Sequence, residues 1–359
     1  MSDCSRRHDR AIGDVLRRAA LLLGALAALP AAADAQYFGR NKVQYDLFDF
    51  RTLATRHFDI LFYPAESLAT HDVARMAERW YARHHTTMHH EFDRRSIILY
   101  ADPPDFQQTN VVEGLISQGT GGVTEGLRER VTMPFTTNYA ETDHVLGHEL
   151  VHVFQYDIAA TTTRGGLQNL GNIPLWMIEG MAEYLSVGRE DPNTAMWLRD
   201  ALRRDDLPTI DQLTTDVRFF PYRFGQALWA YVGGRWTDDA VEQVYRAALR
   251  LGYERAIVEV LGVSSDSLSK MWHASIRAEY GPAIAGRTPP DSVGRRVVGQ
   301  GAREGDQNIS PSVSPDGRYV AFYSSATDLV PADTNGVKDV FVRDMQMGTT
   351  QRVSVGATG

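Results

Sequence analysis

Five consecutive residues, His148-Glu149-Leu150-Val151-His152, carry the strongest chemical signal in the sequence. On a helix each residue turns by about 100°, so positions four apart differ by roughly 40°. His148 and His152 therefore point the same way from adjacent turns. Two neutral imidazoles so placed can grip one zinc ion at about 2.0–2.1 Å each. Glu149, on the same broad face, can accept a proton from water that the metal activates. The plain alternative is an amphipathic helix with polar residues near a core edge. A catalytic zinc also needs a third protein ligand and an open position. The single cysteine, Cys4, lies in a segment expected to be removed, so that ligand must be His, Asp or Glu. The stretch Trp176-Met177-Ile178-Glu179-Gly180-Met181-Ala182-Glu183-Tyr184 offers Glu179 and Glu183, four apart on one helical face among apolar neighbours. A buried carboxylate is costly without a partner. A metal, or a metal-bound histidine, would satisfy both; two solvent-facing glutamates are the alternative.

These two segments together resemble the gluzincin metallopeptidases, in particular the peptidase-MA-like group. The matching residues are His148-Glu149-x-x-His152 and Pro174-x-Trp176-x-x-Glu179-Gly180-x-Ala182-Glu183-Tyr184. The resemblance implies a thermolysin-like catalytic fold and zinc ligands His148, His152 and Glu179. It implies Glu149 as general base and Glu183 supporting a histidine ligand from behind. Pro221-Tyr222-Arg223-Phe224-Gly225 resembles the Pro-Tyr-x-x-Gly segment of aminopeptidase-like members, which implies that Tyr222 stabilises the oxyanion. The family's amine-binding Gly-Ala-Met-Glu-Asn strand has no good counterpart. Gly121-Gly122-Val123-Thr124-Glu125-Gly126 stands there, with Glu125 as the nearest mimic, so an endopeptidase or an unassigned peptidase is expected rather than a classical aminopeptidase.

The elements that must position these groups can be read from periodicity. Alternation within 42–63 predicts a strand, as does Ser96 to Tyr100. Residues 121–135 predict one extended segment near a sheet edge, where a peptide substrate could pair through its backbone. Helices are predicted over 69–92, over 142–157 with Thr142 as N-cap, and from Pro174 to about Val187. Others are expected at 194–203, 223–234, 238–251, 253–260 and 265–280. Strands followed by helices argue for an α+β fold, with N-terminal strands and a mainly helical C-terminal part. His84, His85, His89 and His90 read as a solvated helix end. His144, one turn before His148, is a polar position or a support for the ligands.

The 359 residues allow one large or two medium domains, and 43% hydrophobic residues suffice for a core. A net charge of −8 and a pI near 5.8 argue against a nucleic-acid partner. Residues 1–35 read as a signal peptide: five arginines, an apolar run from Ala19 to Leu29, then Ala33-Asp34-Ala35. The run is too short to span a bilayer, so an exported protein, periplasmic or extracellular, without a stable membrane span is expected. The catalytic domain is expected over 36–285 and a linker over 286–306.

Residues 307–359 show a four-stranded antiparallel pattern. It resembles one TolB-like β-propeller blade, part of a truncated propeller and a possible surface for a protein partner. Asp333 to Asp339 reads as an Asx-rich turn, faintly similar to a calcium loop. The expected activity is zinc-dependent hydrolysis of a peptide or protein substrate. The alternatives are an exported scaffold with a vestigial zinc site, and a metallohydrolase acting on a non-peptide amide.

Overall fold

The computed structural model describes residues 42, 44–112, 114–117, 119–136, 138–288, 292–294, 308–331, 333 and 337–354. The segment 1–35, most of 286–306, and residues 334–336 of the Asx-rich turn lie outside them. The chain divides into two compact units, residues 1–283 and 284–359.

The first unit is α+β. Its sheet runs in the order β1-β2-β3-β5-β4, built from β1 (Arg51–Ala54), β2 (Phe58–Phe62), β3 (Arg95–Tyr100), β4 (Val123–Glu125) and β5 (Arg130–Pro134). The two outer pairings are antiparallel and the two inner ones parallel. Helix α1 (Ser67–Met88) makes the crossover between β2 and β3. Strand side chains alternate between faces. Ile97 and Leu99 accordingly enter the main core, while Ile98 and Tyr100 join a smaller cluster with Tyr63, Phe106 and Ile116. The short turn α2 (Pro103–Phe106) closes that second face.

The segment predicted as one strand over 121–135 is a hairpin. Only the three-residue β4 lies at the sheet edge; β5 pairs on both sides and buries Val131 and Met133. The 42–63 strand is likewise two short strands joined by a turn.

The remainder is helical: α3 (Tyr139–Thr162), α4 (Leu175–Val187), α5 (Pro192–Arg203), α6 (Ile210–Thr215), α7 (Pro221–Arg235), α8 (Asp238–Leu251), α9 (Tyr253–Leu261) and α10 (Ser265–Ile284). Helix α3 begins three residues before the predicted start. Asn138 is its N-cap, accepting from the Glu141 N–H at 2.9 Å, and Thr142 is buried inside the helix. Leu146, Leu150, Val151, Phe154 and Ile158 are buried around much of its circumference. Such a helix lies inside its domain rather than on its surface.

The histidine cluster at the end of α1 is only half solvated: His85 and His89 face solvent, while His84 and His90 form a packing joint. His84 is fully buried, stacks on Trp80 and sets Nε2 3.0 Å from the Gly147 carbonyl on α3. Burial pushes its pKa down to about 3, so it stays neutral. His90 pairs with Asp157 of α3 at 2.6 Å, while His85 and His89 are exposed.

The second unit is a four-stranded antiparallel sheet in chain order: β6 (Asn308–Val313), β7 (Tyr319–Ser324), β8 (Asp339–Asp344) and β9 (Thr349–Arg352). Phe322 and Phe341 are register partners in β7 and β8; their rings stack at 5.8 Å as its buried centre.

Candidate functional site

Three side-chain atoms from two helices converge beneath the sheet edge. His148 Nε2 and His152 Nε2 of α3 lie 3.1 Å apart, and each lies 3.2 Å from Glu179 Oε2 of α4. His148 and His152 are 9% and 5% exposed, so this is an interior cluster. The other ring nitrogens fix the tautomers. His148 Nδ1 faces Glu183 Oε1 at 3.2 Å, and His152 Nδ1 faces Gln155 Oε1 at 2.8 Å. Gln155 donates its own Nε2–H to the Ile178 carbonyl, which turns its oxygen toward His152. Both histidines therefore donate from Nδ1, leaving their Nε2 lone pairs aimed at a carboxylate oxygen.

Three acceptors in mutual contact repel unless a cation sits among them. The proton equilibria reflect this. Burial lowers the His148 pKa, but the Glu179 and Glu183 hydrogen bonds and nearby carboxylate charges outweigh it and push it up to about 10. Burial likewise acts to raise Glu179 and Glu183, yet their histidine partners hold both well below the usual carboxylate range. A proton on His148 thus occupies the place that a metal ion could take. Two triples of groups have suitable spacing: His148, His152 and Glu179, and His144, His148 and Glu183. The first is the better cation site. Glu183 in the second is already neutralised by Arg223, whose Nη1 donates to Oε2 at 3.0 Å and also reaches Asp191 at 3.4 Å. His144 Nε2 stands 3.5 Å from Glu183 Oε1, so it adds to the support behind His148.

Glu149 is 6% exposed and is held by β4. Thr124 Oγ1 lies 2.6 Å from Glu149 Oε2 and 3.0 Å from its carbonyl oxygen. A hydroxyl has one proton, so the shorter, charge-assisted bond to the carboxylate takes it. Gly122 gives the carboxylate room: a Cβ there would lie 2.8 Å from Glu149 Cγ. Glu125, the expected mimic of an amine binder, is instead paired with Arg130 of β5.

Tyr222 opens α7 just after Phe220, its N-cap, and Pro221 at the first helical position. Its ring stacks on His148 at 5.9 Å and 10°. Burial first, then the Glu179 charge, raises its pKa, so it remains a neutral donor. Every residue expected at the site, His148, Glu149, His152, Glu179, Glu183 and Tyr222, meets there. Gln155, Thr124 and Arg223 were not anticipated. Gln155 was the one with a sequence signal, a polar residue three after His152 on a buried helix.

Gly180 permits a close crossing of α4 over α7. Its ideal Cβ would lie 2.4 Å from the Gly225 main chain of α7, and a Cβ on Gly225 would lie 2.5 Å from the Trp176 carbonyl. Main chain cannot step aside as a side chain can. Gly180→Ala is therefore expected to destabilise the fold by about 2–3 kcal/mol. A thermal melt should register a fall in Tm on the order of 5–10 °C. An unchanged Tm would show that the crossing relaxes freely.

An α+β unit with a buried, oriented His/His/Glu cluster beside a held glutamate defines a domain with a candidate hydrolytic site. A family model, BSP, described as "Peptidase of plants and bacteria", matches residues 41–274. The chain belongs to this peptidase family, and its whole candidate site lies inside the matched range. No curated protein matches the chain. Among the described residues no helix is long and apolar enough to cross a membrane. A peptide or protein substrate suits the family.

Proposed function

We propose that the chain is an exported zinc metallopeptidase of the gluzincin type, acting as an endopeptidase. One observation carries the reading: three converging atoms, His148 Nε2, His152 Nε2 and Glu179 Oε2, lie 3.1–3.2 Å apart, a spacing that a cation can fill in place of a proton. Ligands at about 2.0–2.1 Å in a tetrahedral shell are separated by roughly 3.3 Å. The donor set therefore fits zinc in both chemistry and spacing. Zinc bound there would supply Lewis acidity, polarising the scissile carbonyl and lowering the pKa of water to about 7.

The protein's own groups do the rest. Glu149, fixed by Thr124, takes the proton of the attacking water and returns it to the leaving amine. Tyr222, a neutral hydroxyl beside His148, donates to the developing oxyanion. Glu183, clamped by Arg223, holds the His148 tautomer. The edge strand β4, next to Glu149, offers free backbone groups on which an extended peptide could lie. Export rests on the signal-like residues 1–35, and the C-terminal sheet is read as a propeller-type blade, a possible site for a protein partner.

The direct test is metal analysis with a cleavage assay on an unfolded protein substrate. Stoichiometric zinc is expected, with cleavage abolished by a chelator and restored by zinc. A purified chain that cleaves equally well when stripped of metal would overturn the reading.

A further inference from the structure

The imidazole of His148 begins a ladder of rings that leaves the interior. Tyr222 stacks on His148, and Phe220 stacks on Tyr222 at 5.0 Å and 24°. Trp197 of α5 then lies against Phe220 at 5.5 Å and 33°. The inner rings are buried or half-buried, but Phe220 and Trp197 are 40% and 38% exposed. Two large aromatic side chains in mutual contact, each partly open to solvent, form an apolar surface patch.

Both rings are also rigidly held. Trp197 meets the buried Phe224 edge-on at 6.1 Å, and Phe224 packs on the buried Phe219 at 5.7 Å. Phe220 is the N-cap of α7, followed by Pro221, which fixes the backbone. Fixed aromatic faces bind an apolar group with little entropy to lose. The surface is continuous with the cluster at His148, two ring steps away. An extended peptide advances about 3.3 Å per residue, so a side chain on this shelf belongs to a residue within about five of the reacting bond.

We propose that Trp197 and Phe220 form a specificity subsite that receives an aromatic side chain of the peptide substrate. The inference rests on the peptidase reading, and it adds the substrate class: peptides with an aromatic residue close to the bond cut. Offset or edge-to-face contact with two rings, together with burial of the aromatic side chain, sets the preference over alanine at about tenfold or more.

The test uses the full chain carrying Glu149→Gln, so that binding is read without turnover. Hexapeptides with Phe or Ala at each position in turn are titrated by calorimetry. Phe at one position should bind at least about tenfold more tightly than Ala there. Adding Phe220→Ala and Trp197→Ala should remove that difference and leave the affinity for the alanine peptide unchanged. Trp197→Phe, which keeps an aromatic face, should retain most of the preference and guards against misfolding of the alanine variants. Equal binding of all peptides, binding of none, or a Phe preference that survives both alanine changes would overturn the subsite. Cleavage by the unsubstituted chain is scored separately. A binding preference without cleavage removes the peptidase reading and leaves the subsite, whereas cleavage without a Phe preference removes the subsite alone.

Discussion

Glu149→Gln is expected to keep its zinc and its fold while losing about 10²–10⁴-fold in the rate of peptide cleavage. The amide matches the carboxylate in size, so the space opposite Gly122 stays filled and Thr124 can still donate to its oxygen. What is lost is the proton acceptor, and general base catalysis is worth about that factor. His148 and His152 are untouched, so metal content should not change. The measurement is kcat on a peptide found to be cleaved, alongside zinc per chain. A variant that cleaves as fast as the parent chain would remove Glu149 from the chemistry. A variant that loses zinc as well would make it part of the metal shell instead.

Glu179→Ala is expected to act on the other side of that division: stoichiometric zinc should be lost, and cleavage with it. The substitution removes the carboxylate that faces both Nε2 atoms, at 3.2 Å each. Weakening even a supporting partner of a metal ligand costs about 10–100-fold in affinity, so loss of the ligand itself should exceed 100-fold. The apolar neighbours of Glu179 on α4, Met177 and Met181, remain buried, so the helix should still pack. Circular dichroism separates metal loss from unfolding. Retention of tightly held zinc in a folded Glu179→Ala protein would mean that the third ligand lies elsewhere.

The cluster was legible because its spacing is local. His148 and His152 share a helix, and so do Glu179 and Glu183, so period alone brings each pair to one face. Residue type offered Glu179 and Glu183 as partners of the histidines, the family resemblance implied Glu179 as the ligand, and the structure places His148, His152 and Glu179 together. The α+β class and the helix boundaries from 174 to 261 followed from caps and periodicity, with α6 as an omission. That short helix carries its signal in a Thr209/Gln212 capping box rather than in an apolar stripe.

The misreadings involve contacts that periodicity does not report, some distant in sequence and some across a turn. Burial of His84 depends on Gly147, 63 residues on, accepting its hydrogen bond. Glu125 is claimed by Arg130 only because β4 and β5 fold into a hairpin. Thr142 reads as a cap by residue type, yet Asn138 is reached first, and Thr142 instead accepts from the Thr136 N–H. Arg223 was invisible as a partner of Glu183, since nothing local announces an ion pair 40 residues apart.

The crossing of Gly180 over Gly225 also joins two duties. Glu179 precedes one of these glycines, and Tyr222 stands less than one turn ahead of the other. The anchor for a cation and the hydroxyl above it are thus mounted on a single pivot. A shift of that crossing would therefore move the two backbones together rather than one past the other.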